Sequence, residues 1–398
     1  MNRLLVELGG LPVGTLRRVG GDTWEFRFIP EYLELGQGER PVLGQVFVDE
    51  PERAHRATSR LPRFFSNLLP EGVLRDFLAR ESGTGSRREP QLLAALGDDL
   101  PGAVTVRRDD EDFEAAGEGE KSRPASGDVR RVNLTFSLSG VHLKLSARFV
   151  GGRWRIPERG RGGDWIVKFP VASYPQLPEN EHTVMTWART SGIEVPETRL
   201  IPWREIENLP AEWHFPEPLA LAVRRFDRPA PGVRVHQEDF AQVLNLYPEE
   251  KYDDYNYETL AARCLAIAGP EALEDLVQRL VFMVLSGNGD AHHKNWSLIY
   301  PDGRRAELSP AYDLVFTRVY GFDKLALNFG RSKDFHLVGR RTLRRLAERL
   351  GIDAARMLEV VDRAASKIRE AWRALEPDSS LSSGARERLR RHLGEMGL

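Results

Sequence analysis

Apolar and polar residues alternate in two opening segments, LLVEL (4–8) and TWEFRFI (23–29). That is the pattern of half-buried β-strands. Between them, LPVGTLRRVGGD (11–22) reads as a short strand and a Gly-Gly turn. In PRFFSNLLPEGVLRDFLARE (62–81), Phe65, Leu68, Leu69, Val73, Leu74 and Leu78 predict helices joined around Pro70. The pattern then stops. Residues 106–131 are charged and small, with almost nothing to bury, and read as a linker or mobile loop after a first unit spanning 1–105.

From Val132 a different rhythm begins. VNLTFSL (132–138), WRIP (154–157) and DWIVKFP (164–170) read as strands, and LALAVRRFDR (219–228) as a further buried strand. NEHTVMTWARTSG (180–192) reads as a helix with Val184, Met185, Trp187 and Ala188 on or near its apolar face. Together, residues 132–236 predict a small sheet carrying one helix. From Gln237 to the end at 398 the chain reads as mainly helical. EALEDLVQRLVFMVLSG (271–287) spaces Leu273, Leu276, Val277, Leu280, Val281, Val284 and Leu285 at helical intervals, with Gly287 placed to end the helix. Residues 353–375 predict a long helix capped by Asp353.

Composition changes this picture little. A chain of 398 residues accommodates two or three domains. With 41% hydrophobic and 29% charged residues, it is ordinary for a soluble globular protein. A net charge of -2 gives no global drive toward nucleic acid or membrane. From Arg331 onward basic residues outnumber acidic ones. Solvated helix faces account for this, and a nucleic-acid or partner surface remains open. The single cysteine, Cys264, excludes an intrachain disulfide framework and a cysteine zinc site. No apolar run of about 18 residues occurs, and the start is not a signal peptide. The expectation is a cytoplasmic protein with no membrane partner.

The strongest chemical signal is Asp290-Ala-His-His-Lys-Asn295, with Asp313 following in AYDL. Phosphoryl transfer needs metal ions across the phosphates and a group that accepts or orients the nucleophile's proton. Protein kinases supply a catalytic-loop Asp, an Asn five residues on, and a later metal-binding Asp. Asp290 and Asn295 have that separation, and SLIYPDGRRAELS (297–309), a short strand pair, leads to Asp313. One carboxylate and one amide oxygen suit magnesium. The spacing alone also fits a plain turn after a helix. A zinc reading of His292 and His293 lacks any further cluster at ligand spacing.

A kinase also needs a cation on the nucleotide phosphates. Lys168 in DWIVKFP lies among apolar neighbours, and Glu181 in ENEH opens the following helix. Facing inward, they form the strand-lysine and helix-glutamate pair of kinases. Facing outward, Lys168 is an edge residue in water. Neither G-x-G-x-x-G nor GxxxxGK[ST] is present. FSLSGVHLKLS (136–146) offers backbone amides around Ser139 and Gly140, with Lys144 nearby, for phosphate contact. A plain strand–turn–strand is the other reading.

At this point the chain resembles the HipA family of toxin kinases. VGTL (13–16), FFSNLLPEG (64–72) and LGDDLPGAV (96–104) resemble the family's N-terminal domain. SLSGVHLKLS, WIVKFP, ENEH, LAVRRFDR, HQEDFAQ, GNGDAHHKN and SPAYDL then follow in the family's order. The resemblance implies an α+β, two-lobed protein-kinase-like fold with a small N-terminal α/β subdomain at 1–105. It implies an ATP-binding lobe at 132–236 and a mainly helical lobe at 237–398. It implies ATP and Mg2+ as cofactors, Asp290 as catalytic base, and Asn295 and Asp313 as magnesium ligands. Lys168, paired with Glu181, would meet the ATP phosphates. The backbone around Arg224 and Phe226 would form the adenine hinge, and Gln237 and His292 would complete the surroundings. Ser137 matches the serine that members autophosphorylate to silence themselves. His142 stands where the family has glutamine, and Arg224 where an acidic residue is usual. The implied partner is a small DNA-binding antitoxin, through which operator DNA is contacted. The implied substrate class is a protein such as an aminoacyl-tRNA synthetase. A small-molecule phosphotransferase and a catalytically weak component of a DNA-bound repressor complex are the alternatives.

Overall fold

A computed structural model describes residues 2–36, 38–72, 75–76, 79, 88–109, 143–157, 162–210, 212–253 and 255–398. The strand expected at 132–138, and with it Ser137, Ser139 and Gly140, lies outside the described residues.

The first unit is a five-stranded antiparallel sheet in the order β4-β3-β2-β1-β5. Its strands are β1 (Arg3–Leu8), β2 (Leu11–Gly20), β3 (Thr23–Phe28), β4 (His55–Thr58) and β5 (Val104–Arg108). The alternation read from the sequence sets the buried face: Leu4, Val6, Leu16 and Phe26 pack against Phe64, Phe65, Leu92 and Leu93. Leu92 and Leu93 belong to helix α1 (Glu89–Leu96). Two expectations are corrected here. The short strand is ten residues long, and the stretch read as linker begins inside β5, which pairs with β1 through Arg108. Val104 and Val106 face the core while Arg107 faces out, so the charged side chains concealed the strand.

The second sheet has six strands in the order β10-β7-β6-β8-β11-β9. They are β6 (Lys144–Val150), β7 (Arg153–Arg155), β8 (Trp165–Lys168), β9 (Thr198–Pro202), β10 (Ile206–Glu207) and β11 (Leu219–Arg224). Helix α2 (Leu177–Thr190) packs on β9 and β11. Its Trp187 is fully buried and donates from Nε1 to the Ile368 carbonyl at 2.7 Å, joining this lobe to the next.

The last unit contains helices α3 (Tyr257–Leu285), α4 (Arg340–Leu350), α5 (Ala354–Leu375) and α6 (Ser383–Glu395). The helix expected at 271–287 is the second half of α3, which breaks at Gly269 (φ 85°) just before Pro270. Gly287 (φ 64°) follows its end, and a side chain there would meet the Phe316 ring at 3.0 Å. Asp353 caps α5 as expected, accepting from Ala355 N. This lobe is less purely helical than expected. A three-stranded sheet, β12 (His236–Asp239), β13 (Ser297–Tyr300) and β14 (Glu307–Leu308), adjoins the 293–295 segment. The strand pair expected at 297–309 is β13 and β14, while β12 was not read, being too short to show a period.

The first unit docks on the other two through buried polar contacts. Arg225 bonds Asp227 at 2.9 and 3.0 Å and Asp99 at 3.0 Å. Asp227 also accepts from Gly102 N at 2.9 Å, and Arg228 donates to the carbonyls of Leu100 and Gly102. Burial favours the neutral acid at Asp227, but Arg225 and Arg228 outweigh it and hold the carboxyl below its ordinary range. Further along, Glu238 accepts from Gln45 N at 3.0 Å and from the Tyr300 hydroxyl. Glu238 is fully buried without a cation, and burial pushes its carboxyl up to about 8.

Two consequences follow from this interface. Removing one member of a buried, hydrogen-bonded ion cluster leaves charge without a partner. Asp227→Ala should therefore cost about 3–5 kcal/mol in denaturant unfolding; a loss within about 0.5 kcal/mol would show that the cluster is not a tie. Glu238 holds a proton in the folded chain that an unfolded carboxyl releases near pH 4.3. Stability should fall as pH rises from about 4.5 and level off near the folded value of about 8. In Glu238→Gln that decline should be absent from urea midpoints taken across this range.

Candidate active site

Lys168 ends β8 and points inward, only 8% exposed. Its apolar neighbours and register set this direction, because Leu145 and Val167 pair beside it at the sheet's centre. A buried ammonium needs an anion. Glu181, one turn into α2, lies 2.5 Å from Lys168 Nζ, and Asp313 Oδ1 also bonds it. The inward reading of Lys168 is therefore the observed one.

Asp313 arrives from the opposite lobe in a left-handed conformation (φ 54°), uncommon for a residue with a side chain. Such strained residues collect at functional positions. Its carboxyl is pushed up by burial, but the charges of Lys168 and Lys144 and the Lys168 hydrogen bond prevail and hold it well below the ordinary range. Lys168 is raised in turn: burial disfavours its charge, and Asp313 and Glu181 outweigh that. Burial raises Glu181, and repulsion by Asp313 adds to the effect against the pull of Lys168. Asp313 is thus the firmly ionised partner. Asn295 Nδ2 donates to Asp313 Oδ2 at 3.3 Å. Asn295 Oδ1 is buried with no hydrogen-bond partner among the described residues. An orphaned amide oxygen beside an ionised carboxylate is a donor set that fits Mg2+.

Asp290 lies at the start of the same loop, exposed toward the cleft. Its backbone is fixed: Asp290 N donates to Asn288 Oδ1 at 3.1 Å, and Gly289 N to Thr317 Oγ1 at 2.7 Å. Desolvation raises its carboxyl and the charge of Asp313 helps, while a Tyr252 hydrogen bond and Lys251 oppose. A base lifted toward neutrality suits proton transfer. His292 is buried, and burial together with Lys251 lowers it to about 3, so its ring is neutral.

The other anticipated residues fall around this centre. Arg224 ends β11, ion-paired with Asp164 at 3.1 Å. Phe226 packs its ring 5.7 Å from that of Tyr312, the residue before Asp313. The strand expected over 219–228 ends at Arg224, because Arg225, Asp227 and Arg228 turn into the ionic cluster. Gln237 lies on β12, its backbone 2.7 Å from where a side chain on Gly102 would begin. Ser137, Ser139 and Gly140 lie outside the described residues, while Lys144 pairs opposite Lys168 in register.

Several residues went unread in the sequence. Lys294, between Asp290 and Asn295, bonds Asp239 at 2.9 Å and Asn67 Oδ1 at 2.9 Å. Glu71 pairs with Lys251 at 2.7 Å, and Tyr252 donates to Asp290 Oδ1 at 2.7 Å. Asn67 and Glu71 stand in FFSNLLPEG, so the first unit braces the catalytic loop. No spacing rule links segments so distant in the chain.

Comparisons with known proteins give the chain's family and fold. Residues 4–107 match the HipA N-terminal domain, and residues 136–372 match the HipA-like C-terminal domain. The chain is 42% identical to Y4dM of Sinorhizobium fredii, provisionally named a kinase, over 93% of this chain and 91% of that one. It is 27% identical to the serine/threonine-protein kinase toxin HipA of Shewanella oneidensis, over 80% of this chain and 76% of that one. Among solved structures, HipA from the Shewanella oneidensis MR-1 complex of HipA, HipB and operator DNA superposes with a TM-score of 0.70. That match covers 98% of this chain and 95% of the other at 22% identity, and it shows a shared fold. With both of the family's domains matched in order, the chain belongs to the HipA family.

Proposed function

We propose that the chain is an ATP- and Mg2+-dependent serine/threonine-protein kinase, the toxin of a toxin–antitoxin pair. The observation that carries this reading is the meeting of Lys168, Glu181, Asp313 and Asn295 from four chain segments, with Asp290 at the head of the same loop.

In this reading the acceptor hydroxyl oxygen attacks the γ-phosphorus and the bond to the ADP oxygen breaks. Asp290 takes the hydroxyl proton. Lys168, oriented by Glu181, sets its ammonium against the phosphates. Asn295 and Asp313 would hold Mg2+, which would neutralise charge developing on the phosphate oxygens. The backbone from Arg224 to Phe226 receives adenine, and Gln237 and His292 border the site. Backbone amides at Ser139 and Gly140 cover the phosphates. Ser137 is the autophosphorylated serine, and its added charge of roughly -1.5 to -2 repels the nucleotide phosphates. The partner is a small DNA-binding antitoxin that brings the chain to operator DNA, in keeping with the HipA–HipB–operator DNA assembly of the structural relative. The substrate is a translation-related protein such as an aminoacyl-tRNA synthetase, and the setting is the cytoplasm. Among the described residues no helix is long and apolar enough to cross a membrane.

Intact and peptide mass spectrometry after incubation with ATP and Mg2+ tests this directly. Wild type should gain one phosphate at Ser137, and Asp290→Asn should lose transfer by about 10²–10⁴-fold while keeping its fold. No gain anywhere in wild type would sink the protein-kinase reading and favour a small-molecule acceptor. Asn295→Ala addresses the metal without relying on turnover. Nucleotide affinity titrated against Mg2+ should need at least about tenfold more metal in the variant; an unchanged metal dependence would remove Asn295 from the ligand set.

A further inference from the structure

Residues 251–253 and 255–257 lie across the 290–293 loop as a strap. At one end Lys251 O accepts from His293 Nδ1 at 2.8 Å, and Lys251 Nζ pairs with Glu71. At the other, the Tyr257 hydroxyl donates to Ala291 O at 3.0 Å. Tyr252 stands between these ties, 39% exposed, with its ring edge-on to His292 at 4.9 Å. Its hydroxyl donates to Asp290 Oδ1 at 2.7 Å.

A general base must lie about 2.6–3.2 Å from the oxygen whose proton it takes. The Tyr252 oxygen is inside that range, so a hydroxyl group already stands at the base in an acceptor's position. This hydroxyl does not ionise readily, since burial and the charge of Asp290 both drive it above the ordinary tyrosine range. It therefore stays a donor. The backbone here is tied by Asp290 N to Asn288 Oδ1 and by Gly289 N to Thr317 Oγ1, and a side chain at 289 would meet Lys324 O at 2.4 Å. Tyr252 holds the carboxylate's own torsion.

We propose that Tyr252 gates the base: its phenol occupies the acceptor position on Asp290, and an incoming serine or threonine hydroxyl must displace it. The proposal rests on Asp290 being the base. The gate keeps water from Asp290 Oδ1 while no acceptor is bound. It also favours acceptors that bring a hydroxyl together with groups able to move the exposed strap.

Total loss of the γ-phosphate of labelled ATP, to water and to the chain together, is to be compared in wild type, Tyr252→Phe and Asp290→Asn. Removing the phenol oxygen should speed ATP consumption about tenfold, the worth of one charge-assisted hydrogen bond. It should also move the acid limb of the rate upward, because the lost hydrogen bond is one that lowers Asp290. Peptide mass spectrometry should find Tyr252 itself unphosphorylated. A slower or unchanged Tyr252→Phe beside an active wild type overturns the gate alone, as does phosphotyrosine at Tyr252. A wild type as inactive as Asp290→Asn overturns the kinase reading on which the gate rests.

Discussion

The burial of one ammonium group organises this molecule. Lys168 sits at the centre of a sheet where a cation costs several kcal/mol unless it is paired. Its partners come from different places, Glu181 from the helix on its own sheet and Asp313 from the opposite lobe. The two lobes are thus held by a charge balance as well as by apolar packing around Trp187 and Trp372. Lys168 and Lys144 hold Asp313 ionised, while burial and Asp313 raise Glu181. The ionised Asp313 lies next to the unsatisfied oxygen of Asn295. A site in this condition favours a further cation, and oxygen donors select a hard one.

The first unit shares in the catalytic architecture. It reaches the segment after β11 through Asp99 and Gly102, and the catalytic loop through Asn67 and Glu71. Buried ion pairs seldom add much net stability over apolar packing, but they are strict about geometry, because a misplaced partner leaves a bare charge. A unit attached this way fixes the position of what it touches. The segment after β11 and the 290–295 loop are therefore positioned by residues more than a hundred places away in sequence.

The legible parts of the chain were those whose physics is local. Alternation in LLVEL and TWEFRFI gave the first sheet, and the helical spacing from Leu273 to Leu285 gave the helix that delivers the catalytic loop. Asp290, Asn295 and Asp313 were legible as candidates because their spacing is one that kinases use for phosphoryl transfer. The strap and its contacts were not, since Tyr252 meets Asp290 across 38 positions and Glu71 meets Lys251 across 180. The pair β13 and β14 was read from the sequence, whereas β10 and β12 escaped because tertiary pairing alone defines them. Arg225 and Arg228 read as the end of a strand, and only the buried Asp99 and Asp227 turn that run into a corner.

The two halves of the site differ in kind. Lys168, Glu181 and Asn295 lie in a paired, largely buried cluster with Asp313, which suits a ligand that is always the same. Asp290 and Tyr252 stand at the open side, held by a single hydrogen bond at the tip of a strap. Preorganisation lowers the cost of binding what fits, and it excludes what does not. In the kinase reading, a rigid donor side beside a displaceable acceptor side would commit the protein to one phosphoryl donor and leave the acceptor to be chosen by surfaces beyond the motifs. The residues that define the chemistry are for that reason legible in the sequence, and those that choose the acceptor are not.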